Sequence, residues 1–220
     1  EEEHSMLENY EKAMGELHDC MSLLSIKLEK AMEDTWYALE NKDLALADKV
    51  YRGDQDINDL VRECMQKDLS ISMLHDPVAR DWRYLMATMK ILSDIERIGD
   101  HCADICHYLI RMETLHHDLP LLPGLKEMYG VMSSMVRDVL TFYHSQEKTD
   151  MELMKDKDDI VDLAFDSLLE EISRQIAEHP EYARDYLSYV LIVKYVERMA
   201  DHASNIADCL IYRDTSRILV

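Results

Sequence analysis

The 220-residue chain carries 45 acidic side chains against 24 basic ones, a formal net charge of −21. So negative a surface repels nucleic-acid phosphates and anionic lipid headgroups, and suits cations or basic patches on proteins. Only five glycines and four prolines punctuate it, which favours long helices over many short strands.

The first helical period runs from about Met6 to Glu40, with Met14, Leu17, Met21, Leu24 and Leu28 on one face. Asn41–Asp43 breaks it, and Asp43 is placed to cap a second helix from Leu44 to about His75. Pro77 stops that helix, because a residue before proline avoids the α region. A third runs from near Arg80 to about Leu115. The segment "HHDLPLLPG", His116–Gly124, holds two prolines and a glycine and reads as the boundary between residues 1–117 and 118–220. A fourth helix follows to about Ser145, a fifth spans about Asp150 to Ala177, and a sixth ends near Tyr212. The pattern predicts an all-α fold of two tandem three-helix bundles.

No apolar run approaches the ~20 residues a membrane span needs, and no secretory leader opens the chain. Five cysteines, irregularly placed, make no disulfide framework and point to a reducing cytoplasm.

The halves repeat each other. "ERIGDHCADI", Glu96–Ile105, lies over "ERMADHASNI", Glu197–Ile206, at an offset of 101 with five of ten positions identical. "DINDL", Asp56–Leu60, lies over "DIVDL", Asp159–Leu163, at an offset of 103 with four of five identical. "ARD" opens the third helix of each half, at Ala79 and at Ala183. Three matches in one order indicate an internal duplication.

On a helical wheel, Ile95, Ile98, Cys102 and Ile105 form the apolar stripe of the third helix, and Glu96, Asp100 and Asp104 fall opposite. The sixth helix copies this, with Val196, Met199, Ala203 and Ile206 inward and Glu197, Asp201 and Asn205 outward. Asp56 and Asp59 flank the core stripe of the second helix, as Asp159 and Asp162 do on the fifth. Neighbouring helices then present carboxylates to shared surface grooves, the oxygen-rich surroundings that hard cations require. A lone acid-x-x-x-acid pair in so acidic a chain is a solvated helix face. Its repetition on two helices in both halves favours a metal, since aligned like charges cost a few tenths of a kcal/mol per pair that a bound cation removes.

Other constellations are weaker. Cys102 and Cys106 lie on the core stripe, and alanines replace them in the second half, so they read as small buried side chains rather than zinc ligands. Glu113 and His116 give the one internal Glu-x-x-His pair of the kind a di-iron bundle uses, and it has no repeat partner. His101 and His202 match and suit a supporting or interface role. No phosphate loop, nucleophile elbow or dinucleotide fingerprint occurs, so no enzymatic chemistry is read from the sequence.

"DPVARDWRYLMATMKILSDIERIGDH" (Asp76–His101), "YVERMADHASNIAD" (Tyr195–Asp208) and "ALADKVYRGDQDINDL" (Ala45–Leu60) resemble the PhoU family of phosphate-uptake regulators over nearly the whole chain. The resemblance implies multinuclear metal sites on the bundle surfaces, holding iron, zinc, manganese or magnesium. Carried over by motif, Glu96, Asp100, Glu197 and Asp201 match directly, and Asp56, Asp59, Asp159 and Asp162 match the second-helix acids. Asn205 stands where the first half has Asp104, and Gln55 where the second has Asp158, so the two sites are expected to differ. The resemblance also implies a non-catalytic cytoplasmic regulator, a homodimer, that contacts the phosphate-sensing histidine kinase and the ATPase subunit of the phosphate ABC transporter. It would reach the inner membrane only through those partners. The alternative within the likeness is a PhoU-like tail of a sodium–phosphate cotransporter.

Overall fold

A computed structural model describes residues 2–75, 77–113, 119–145 and 147–216. They form six α-helices: α1 (Glu2–Asn41), α2 (Leu44–Leu74), α3 (Ala79–Glu113), α4 (Pro123–His144), α5 (Met151–Glu178) and α6 (Ala183–Thr215). A single 3-10 turn, Pro180–Tyr182, precedes α6. The predicted end of the third helix near Leu115, and His116 of the Glu-x-x-His pair, lie outside the described residues.

Local chemistry sets the breaks. Asp43 caps α2, its carboxylate accepting the Leu46 N–H at 3.0 Å, and Lys42 turns the chain with a left-handed φ of 53°. Asp150 caps α5 in the same way, accepting from Leu153 N–H at 3.0 Å. Pro123 stands in the first turn of α4, where its missing N–H is not needed.

Helices α1, α2 and α3 pack as one three-helix bundle, and α4, α5 and α6 as a second. The most extensive contact in the molecule joins the two: α3 lies antiparallel on α6. Helices α1 and α4 also meet across the repeat, where Tyr129 donates to the Met32 carbonyl at 2.7 Å. The buried apolar side chains of both halves therefore form one continuous core. The repeat boundary divides the sequence but not the interior.

The duplication keeps an offset of 101 along α3 and α6, where Ile98 and Met199, Cys102 and Ala203, and Ile105 and Ile206 are all buried. In α2 and α5 the packing departs from the sequence match. An offset of 103 would equate Leu60, 8% exposed, with Leu163, 69% exposed. Shifting by one residue equates Ile57 with Val161, Cys64 with Leu168 and Asp68 with Ile172, all of them buried. One residue turns a helix by about 100°, so the "DINDL" and "DIVDL" identities lie on different faces. The structural equivalents are Asp54 with Asp158 and Asn58 with Asp162.

The cysteines bring a correction. Cys20 on α1 and Cys64 on α2 form a disulfide, with their Cα atoms 5.8 Å apart. Their spacing in sequence looks irregular because antiparallel helices, not a local motif, bring them together. Cys102 and Cys106 are free and buried, as the core stripe predicted.

Candidate metal-binding grooves

In the first bundle the groove lies between α2 and α3. Asn58 sits at its centre, donating to Asp54 on its own helix at 2.9 Å and to Asp100 of α3 at 3.4 Å. Glycine at position 99 allows this approach: a Cβ there would meet Ile57 Cγ2 at 3.2 Å and Asp54 Oδ1 at 3.8 Å. Asp54 Oδ1 is buried without a hydrogen-bond partner. Burial, with Asp100 and then Asp104 and Glu96 close by, pushes the Asp54 carboxyl up to about 6. A carboxylate among other acids, with a bare oxygen turned inward, is held towards its protonated form.

The predicted second-helix acids are turned outward. Asp56 is exposed and lines, together with Asp54 and with Gly99 and Cys102 of α3, a cavity of about 260 Å³ whose other wall is α1. Asp59 is exposed and paired with Arg62 at 2.7 Å. Asp104 accepts from His101 Nδ1 at 3.2 Å, and Asp100 is within 3.5 Å of Arg97. Sequence reasoning missed Asp54. The signal available was its four-residue spacing to Asn58, which Asp158 and Asp162 repeat.

The second groove lies between α5 and α6. Ser204 donates to Asp158 at 3.3 Å. Burial and then Asp162 raise the Asp158 carboxyl, and burial with Asp159 raises that of Asp162. Burial, Glu197 and Asp162 push Asp201 up to about 6. Asp158, Asp159, Asp162, Glu197 and Asp201 therefore share one electrostatic neighbourhood, in which Asp159, Asp162 and Asp201 are exposed.

Asn205, the replacement for Asp104, turns away from this groove and donates to Asp94 of α3 at 3.4 Å. His202 lies 2.8 Å from the same carboxylate, and His101 stacks on Tyr195 with ring centroids 5.2 Å apart. The matched histidines thus belong to the seam between the bundles.

The donors fit a hard cation in kind, being carboxylates, one of them with a bare inward oxygen. Among the described residues, however, no three His, Cys, Asp or Glu side chains close on one point. The grooves gather carboxylates without pre-forming a cage.

Comparison with known proteins decides the family. The model of the PhoU domain matches the chain twice, over residues 21–109 and 125–210. The chain belongs to the PhoU family. It is 28% identical over 213 residues to the phosphate-specific transport system accessory protein PhoU homolog of Clostridium acetobutylicum, covering 94% of this chain and 95% of that protein. It is 27% identical over 210 residues to PhoU homolog 1 of Thermotoga maritima, covering 95% and 90%. Its fold is that of the phosphate transport regulatory protein PhoU from Streptococcus pneumoniae, with a TM-score of 0.87 at 24% identity over 96% of this chain and 99% of that one. PhoU from Pseudomonas aeruginosa superposes equally well, with a TM-score of 0.86 over 94% and 100%. The two PhoU repeats coincide with the two bundles, and the family is one of accessory rather than catalytic proteins.

Proposed function

We propose that this chain is a metal-binding regulator of phosphate uptake and phosphate-starvation signalling. The observation that carries the reading is the match, over more than nine-tenths of the chain, to relatives named as accessory proteins of a phosphate-specific transport system. In this reading the protein works in the cytoplasm as a homodimeric, non-catalytic adaptor between the ATPase subunit of the phosphate transporter and the phosphate-sensing histidine kinase. It meets the inner membrane surface through those partners. No helix among the described residues is long and apolar enough to cross a membrane.

Metal is assigned to the two grooves. Asp54, Glu96, Asp100 and Asp104 would hold it in the first, and Asp158, Asp162, Glu197 and Asp201 in the second, with Asp56, Asp59 and Asp159 at the margins. An all-carboxylate donor set suits magnesium, manganese and iron better than zinc. Elemental analysis of the purified protein beside an Asp100→Asn/Asp201→Asn variant tests it. Several equivalents of metal in the first and their loss from the second support the assignment. A native protein that stays metal-free after incubation with manganese and iron overturns it, leaving the grooves as solvated protein-binding faces.

A further inference from the structure

The α2–α3 groove that carries the acids continues towards the α2–α3 turn, and its character changes along the way. Asn58 bonds Asp100, which fixes the register of the antiparallel pair. Leu69 lies eleven residues beyond Asn58, about three turns on, and so points to the same side of α2. Trp82 lies eighteen residues before Asp100, five turns back, on the same side of α3. This end of the groove is apolar and open to solvent. Leu69 is 52% exposed, Met73 74%, Trp82 44% and Met86 40%. Large apolar side chains left in water side by side mark an interaction surface, and methionines adapt to partner side chains of varied shape.

The second bundle keeps the acids but not this patch. At the equivalent positions it has Ser173 for Leu69, Ala177 for Met73 and Ala183 for Trp82; only Leu187, for Met86, remains apolar. The patch is therefore not a by-product of the duplicated fold.

We propose that this groove of the first bundle receives an amphipathic helix from a protein partner. That helix carries bulky apolar residues at one end and lysines or arginines at the other, about 27 Å away along the groove. Charge complementarity selects this occupant. The far end of the groove presents Asp54, Glu96, Asp100 and Asp104, which attract a basic segment. A second copy laid along this groove would set its own acidic surface against these four carboxylates, and an anionic membrane meets the same repulsion. The inference rests on the adaptor reading and gives the adaptor a docking face.

The test uses the purified chain with Trp36→Phe, so that Trp82 is the one tryptophan. The probe is a synthetic 18-residue helical peptide with leucines on one face of its first half and lysines on the same face of its second. The control has the same composition spread around the helix. The expected result is a saturable blue shift of Trp82 emission with the probe, weakened by salt and at least tenfold weaker with the control. Met73→Ser/Met86→Ser should cut affinity at least tenfold while leaving metal content unchanged, so that failure here and failure of the metal assignment read out separately. Equal binding of both peptides overturns the proposal, as does indifference to the serines. So does a blue shift produced by vesicles of anionic lipid alone, or a dimer seen by sedimentation that the serines dissolve while peptide binding persists.

Discussion

His202 Nδ1 lies 2.8 Å from Asp94 Oδ1, and this contact joins the two bundles where their repeats face each other. The repeat places Tyr195 at the position of Asp94 and His101 at that of His202, and those two rings stack instead. Each histidine still has one carboxylate. For His202 it comes from the opposite bundle, and for His101 from Asp104 of its own helix.

Asp94→Ala should therefore loosen the seam by about 1–3 kcal/mol, the cost of leaving a partly buried partner unpaired. A double-mutant cycle with His202→Ala by chemical denaturation should show a coupling near 1 kcal/mol. Additive effects would mean that the contact contributes nothing.

The Gly99–Ile57 approach gives a second expectation. The second bundle has Ala200 and Val161 at these positions, one methyl added and one removed. Gly99→Ala alone sets a helix-propensity gain of about 1 kcal/mol against crowding of Ile57 at 3.2 Å, which costs ~1 kcal/mol or more. Ile57→Val takes away only Cδ1, 3.6 Å from that Cβ, and keeps Cγ2, so it should relieve the crowding in part and the two changes should cost less together than their sum. Thermal melts in which the two effects simply add would refute this compensation.

Protonation of the grooves should also be measurable. Asp54 and Asp201 have folded values near 6, above the unfolded value of about 3.9. A raised carboxyl contributes stability that is full below the unfolded value and is lost as pH rises through the folded one. The metal-free protein should thus lose stability between about pH 4 and pH 6, by on the order of 1 kcal/mol or less per group once solvent screening is allowed for. Asp54→Asn should flatten that limb. Manganese at pH 7.5 should raise the melting temperature of the native chain and not of the Asp100→Asn/Asp201→Asn variant. A melting temperature that climbs steadily from pH 4 to 7 without metal would contradict the groove electrostatics.

Asp68 is the counterpart of Ile172 and is 2% exposed, with Oδ2 lacking a hydrogen-bond partner. Burial pushes its carboxyl up to about 7. Asp68→Leu, branched at the same carbon though larger, should stabilise the protein at pH 8 by about 1–2 kcal/mol and little at pH 5, where the carboxyl is already protonated. Urea melts at the two pH values decide it. A loss of stability at both would show that the carboxylate serves the fold.

The helices, the cap at Asp43 and the duplication were readable because each rests on local chemistry: period, Asp43 as a cap, Pro77 as a stop and the prolines of residues 116–124 as a boundary. The α3 and α6 acids were readable for the same reason. The α2 acids were not. "DINDL" and "DIVDL" look alike, and only the burial of Leu60 beside the exposure of Leu163 shows that the faces differ by one residue. The disulfide and the Asp94–His202 contact depend on which helices lie together, which no local pattern encodes.

The antiparallel seam of α3 on α6 has the form of a contact between two identical molecules related by a two-fold axis. A separate three-helix ancestor could have paired through that surface before its gene was doubled and joined. In such a pair, every substitution would have appeared on both sides at once. Joining ended that constraint. Asp94 and Tyr195, Asp104 and Asn205, Gly99 and Ala200 are differences that a symmetric pair could not hold, and they allow one descendant half to specialise while the other keeps its older role.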